Sequence, residues 1–181
     1  MRMPGSMGAM AAAVLLGGCA TVPGGEAGAG GPDAGRPVAI EAETIRYETS
    51  PCFGTCPVYT VTVQPDGRGT FEGKRFTAVT GLREFTATPD QYRRFKAALQ
   101  PYRPAEGEKL YHMGTPLCGG PMVSDMPSID VTWSELSGGS QHVSLYLGCG
   151  SQAMREAFRR APDLLPIAKL VKPDVPFPPG R

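Results

Sequence analysis

Neither sign of charge predominates in this sequence, where 18 Lys and Arg stand against 17 Asp and Glu for a formal net charge of +1. The basic residues are scattered rather than massed, which leaves no electrostatic footprint for nucleic acid and argues against it as a partner. Histidine is nearly absent, His112 and His142 being the only two. With Cys118 and Cys149 they could assemble a Cys2His2 zinc site, but their spacings match no short zinc signature, so loop or surface histidines are the simpler expectation. Local signatures of enzymes are missing too. There is no Ser-His-Asp, Cys-His or paired-carboxylate pattern, and no Gly-x-Gly-x-x-Gly or Gly-Lys-Ser loop follows a strand. No catalytic residue, metal ligand or cofactor is therefore assigned, and Asp66, Asp125 and Asp130 read as turn carboxylates. Catalytic groups can converge in a fold without any local signature, so enzymatic activity stays open.

The apolar run Met7 to Leu16 is too short for a resident membrane helix. Preceded by Arg2 and followed by small residues, it has the charged start, short hydrophobic stretch and small-residue exit of a secretory signal. The exit, Leu16-Gly17-Gly18-Cys19, resembles the lipobox of bacterial lipoproteins, which implies that the Cys19 thiol receives a diacylglycerol and that Cys19 becomes the mature N-terminus. Two or three acyl chains hold a protein on a membrane where one alone is marginal. Ala20 stands where inner-membrane lipoproteins of this kind tend to carry Asp, so the resemblance favours the periplasmic face of the outer membrane. The expected organisation is a signal over residues 1–18, lipidated Cys19 with a Gly/Ala/Pro tether over 19–37, one domain over 38–171, and a Pro-rich tail over 172–181. A span of about 130 residues is an ordinary size for a single core.

Setting Cys19 aside leaves Cys52, Cys56, Cys118 and Cys149, an even number in a chain addressed to an oxidising compartment. Of the three connectivities, Cys52 with Cys56 and Cys118 with Cys149 is favoured, because the first pair is local and the second brackets one apparent hairpin. Loop-closure entropy gives about 2 kcal/mol for the small loop and about 3–4 for the large one.

The segment Ser50-Pro51-Cys52-Phe53-Gly54-Thr55-Cys56-Pro57-Val58-Tyr59 is the most distinctive in the chain. It resembles the opening motif of the bacterial family DUF6438, in which a Pro-Cys-Phe-Gly-x-Cys-Pro-x-Tyr string leads into a strand. Pro65-Asp66-Gly67 falls at that family's first hairpin, and Ser124-Asp125-Met126-Pro127-Ser128 is similar to its second string, so that the likeness runs from Ile40 to Leu165. The resemblance implies kinship of fold and an envelope location, and it implies no chemistry. Cys118 and Cys149 depart from the general pattern and read as an added staple.

Cys52-x-x-x-Cys56-Pro57 also resembles the motif of copper chaperones for cytochrome oxidase assembly, where two thiolates suit Cu(I). Those chaperones follow the motif with a helix. Here Val58 to Val63 alternates with period two and is rich in β-branched residues, which predicts a strand.

Strands are expected over 40–49, 58–64, 69–73 and 83–87, with a hairpin turn at Pro65-Asp66-Gly67. Thr88, Pro89 and Gln91 compose a helix start with a capping box, and Tyr92, Phe95 and Leu99 share one face before Pro101. From Pro101 to Met126 no period is sustained, and a long loop anchored by Cys118 is expected. A second hairpin follows, with Ile129, Val131 and Trp133 on one strand and Val143, Leu145 and Leu147 on the other. Ser151 can cap a further helix, and Leu164 to Val171 adds a short helix or turn. The fold class is α+β, a mostly antiparallel sheet built from hairpins with two or three helices packed on one face.

The leading functional expectation is an envelope-anchored, non-enzymatic binding or structural module, held to the membrane by lipid at Cys19 and recognising an envelope protein, peptide or glycan. The alternative is a periplasmic thiol-redox or copper-handling protein using Cys52 and Cys56, and a hydrolase without a local signature is the third. A strand after Cys56 favours the first, a helix the second.

Overall fold

The computed structural model describes residues 43–119 and 124–172. The expected signal, Cys19, the expected tether and the residues beyond Lys172 lie outside the described residues.

Seven strands form one sheet: β1 Glu43–Thr49, β2 Val58–Val63, β3 Arg68–Arg75, β4 Gly81–Thr86, β5 Gly107–Tyr111, β6 Ser128–Glu135 and β7 Ser140–Tyr146. The order across the sheet is β4-β3-β2-β1-β6-β7-β5, and every pairing is antiparallel except β5 with β7. Three α-helices accompany them, α1 Pro89–Leu99 between β4 and β5, and α2 Gln152–Arg160 and α3 Ala168–Val171 after β7, with short 3-10 turns at Gln100–Tyr102 and Ala161–Leu164. The architecture is the expected α+β.

Period-two alternation sets the faces of the sheet. The register aligns Phe71, Val61, Tyr47, Val131 and Val143 in one row, and Val63, Ile45 and Trp133 in the next. All are buried, and the helices cover them with Tyr92, Phe95 and Leu99 from α1 and Met154 and Phe158 from α2. Each large side chain so buried contributes about 1.5–3 kcal/mol. The helices sit on that face: the Tyr92 hydroxyl donates to the Glu43 carbonyl at 2.6 Å, and the Tyr47 ring meets Phe95 edge-on at 6.4 Å. Residues between these rows, among them Arg46, Glu48, Asp130, Thr132 and His142, compose the opposite, polar face.

Local chemistry agrees with these elements. Thr88 and Gln91 make both bonds of the capping box on α1, and the Ser151 hydroxyl accepts from the Met154 amide at 3.1 Å on α2. The β2–β3 turn needs Gly67, whose φ of +86° favours glycine and whose missing Cβ would stand 2.0 Å from the Ala87 carbonyl oxygen.

One expectation is corrected. The stretch Pro101 to Met126 is not a continuous loop, because β5 lies within it and pairs in parallel with β7 at the sheet edge. Gly107-Glu108-Lys109-Leu110-Tyr111 is short, carries two charges and no clear alternation, and so owes its strand form to pairing with β7. Its partner is remote in sequence, so no hairpin signal marks it.

Candidate functional site

The loop between β1 and β2 is tied at its base and stapled at its tip. The Thr49 hydroxyl donates to the Pro57 carbonyl at 2.8 Å and accepts from the Tyr59 amide at 3.0 Å, closing the neck. Cys52 and Cys56 are disulfide-bonded with their Cα atoms 5.8 Å apart, and Gly54 adopts a φ of +146° between them. The loop is also stitched to the segment before β6, since the Ser50 amide donates to the Ser128 carbonyl at 2.9 Å and the Ser128 amide to the Ser50 hydroxyl at 2.6 Å. This frame leaves Phe53 89% exposed, an unusual position for a large apolar side chain.

Cys118 and Cys149 form the second disulfide, joining the loop after β5 to the residues after β7. Both pairings are those favoured from the sequence. A strand, β2, follows Cys56, so the likeness to copper chaperones stops at the motif.

The second disulfide engages both cysteines of the conceivable zinc set, and the two histidines face different partners. His112 Nε2 lies 2.7 Å from the Ser144 hydroxyl, whereas His142 places Nε2 3.1 Å from Asp130 and Nδ1 3.5 Å from Glu108. No metal-ligating cluster of three or more such residues occurs among the described residues. The His112–Ser144 contact has the form of a base beside a hydroxyl, but Asp130 orients the other histidine, so no relay is assembled among the described residues. Asp66 and Asp125 are exposed turn residues, as expected, whereas Asp130 is no turn carboxylate: it lies within β6, half-buried against His142.

A cavity of about 250 Å³ opens at the end of the core, bounded by the disulfide loop on one side and the C-terminal turns on the other. Tyr47, Pro57, Tyr59, Ile129, Leu147 and Ile167 give it apolar walls, Cys56 borders it, and Arg159, Asp163 and Lys172 stand among its lining. The walls are fixed by bonds made elsewhere. The Tyr47 hydroxyl donates to the Phe158 carbonyl at 3.0 Å, and the Tyr59 ring stacks between Tyr47 at 6.1 Å and Phe71 at 5.4 Å. Burial pushes both phenols well above their ordinary range, and the Asp163 charge adds to the rise at each. Both are neutral at any physiological pH and serve as walls rather than acids or bases.

Sequence reading did not find this cavity. Its residues come from β1, the loop before β2, β2, β6, the residues after β7, α2, the turn after it, and α3, and no local pattern in the sequence groups them. Cys56 and Pro57, inside the distinctive motif, are the local signal among them. The ion-pair node around Glu43 was equally hidden. Glu43 is 5% exposed and is held by Arg103, with Lys96 at 3.5 Å, while Arg103 continues to Glu135 at 3.0 Å.

No curated protein matches the chain. A family model described as a domain of unknown function, DUF6438, matches residues 43–165, which run from the first residue of β1 to the end of the turn after α2. The chain therefore belongs to the DUF6438 family.

Proposed function

We propose that this protein is a lipid-tethered binding module of the bacterial envelope, with no reaction of its own, and that the cavity beside the Cys52–Cys56 loop is its binding site. The observation that carries the reading is a preformed apolar cavity whose walls are held by a disulfide, a buried tyrosine stack and side-chain to backbone bonds. Ligand sites are mostly apolar and preformed in this way. Phe53, on the stapled loop that contributes Cys56 and Pro57 to the cavity, adds an exposed aromatic side chain next to the site. The tether is supported by the lipobox-like exit at Cys19, and the outer membrane by Ala20.

The walls suit an apolar group better than a sugar, because each hydroxyl buried there without a partner costs about 1–3 kcal/mol. A thiol-redox or copper role for Cys52 and Cys56 has less support, since the pair is bonded and the strand after it supplies no helix N-terminus to lower a thiol pKa. The test is crosslinking with mass spectrometry in intact cells, comparing the native chain with Ala168→Phe, which places a large side chain at an exposed position lining the cavity. Loss of specific crosslinks in the variant supports the reading. Identical crosslinks in both chains contradict it.

A further inference from the structure

Resting on the reading of this cavity as the binding site, we propose that its ligand is a single-chain amphiphile with an anionic head, of the fatty-acid or lysophospholipid class. Two observations carry this. The first is size and lining: at about 250 Å³ the cavity falls below the roughly 300–1,000 Å³ of sites for drug-sized ligands, and its apolar walls favour one narrow apolar chain. That volume suits a single chain better than two, and the apolar walls disfavour a ring of hydroxyls.

The second is charge. Arg159 and Lys172 both line the cavity, both are exposed, and neither has an ion-pair partner among the described residues, whereas the neighbouring Arg160 is paired with Glu156 at 3.5 Å. Asp163 lies on the same lining and offsets one of the two cations. Its charge bears on the Tyr59 hydroxyl, so that part of the wall repels an anion. An excess of one positive charge therefore remains with Arg159 and Lys172. An apolar interior beneath unpaired cations complements a carboxylate or phosphate carried on an alkyl chain: the chain leaves water for the walls while the head keeps its hydration and gains a counter-charge.

The experiment places the full lipidated chain in phosphatidylcholine vesicles with a diazirine-bearing palmitic acid, the corresponding fatty alcohol, or a diazirine-bearing lysophosphatidylglycerol, and maps the adducts by peptide mass spectrometry. The expected result is labelling of cavity-lining peptides by an anionic probe about fivefold above the alcohol, the scale of one exposed charge contact. Stronger labelling by the acid identifies a carboxylate head, and by the lysolipid a phosphate. Arg159→Gln with Lys172→Gln, both at exposed positions, should reduce the anionic probes to the level of the alcohol. Equal labelling by acid, lysolipid and alcohol in the native chain overturns the anionic head and leaves the apolar site standing. Labelling by none of the three overturns both.

Discussion

Cys118 stands with its Cα 4.7 Å from that of Cys149, across 31 residues of sequence that include β6 and β7. The bond closes the long connection between β5 and β6 onto the start of α2, and Cys149 is wholly buried. Cys118→Ser with Cys149→Ser should lower the unfolding free energy by about 3–4 kcal/mol. Chemical denaturation of the native and double-mutant chains measures the difference, and a loss below about 1 kcal/mol would count against a structural role.

Arg103 is the counter-charge on which buried Glu43 depends, and it also reaches Gln141 at 3.1 Å and stands 5.8 Å from the centre of the Trp133 ring. Removing one partner leaves the other charge desolvated, so Arg103→Ala should cost about 3 kcal/mol or more. Arg103→Ala combined with Glu43→Gln should recover part of that loss. Thermal melts of the three chains check both statements, and a single mutant as stable as the native protein would show that Lys96 alone compensates Glu43.

Cys52 and Cys56 are expected to remain oxidised in the envelope and to resist reduction, with a potential below about −300 mV. Purified protein should neither reduce insulin nor hold Cu(I) against a moderate competitor. A potential near −200 mV, in the range of glutaredoxins, or one copper per chain lost on Cys52→Ser, would move the functional reading to redox or copper chemistry.

Cys19→Ala should release the domain from the membrane fraction or block its processing, because in the proposed reading acyl chains at Cys19 supply the anchor. Fractionation with acyl labelling decides this. Unchanged pelleting and unchanged labelling would remove the tether from the account.

What could be read in the sequence was whatever is encoded locally. Thr88 and Gln91 cap α1, Gly67 serves the β2–β3 turn, and the alternation of Ile129, Val131 and Trp133 marks the buried face of β6, each a relation spanning a few residues. The motif around Cys52 was legible for the same reason. β5 was not, because Gly107–Tyr111 takes its strand form from β7 some thirty residues later. Nor was the cavity, where Tyr47, Ile129 and Ile167 meet only after the sheet and helices have packed. Apolar residues lining a site and apolar residues filling a core look the same along the chain; what separates them is whether a neighbour arrives to cover them.

The central claim is that the cavity beside the Cys52–Cys56 loop is where this protein meets its ligand. A photoreactive amino acid at position 168, in the cavity lining, tests it most directly when compared in living cells with the same residue at position 137, in the exposed turn between β6 and β7. The account predicts a defined adduct from position 168 that disappears with Ile129→Trp, a filling of the cavity from its wall, in a chain verified as folded by its melting curve. No adduct from position 168, or the same adducts from both positions, would contradict it.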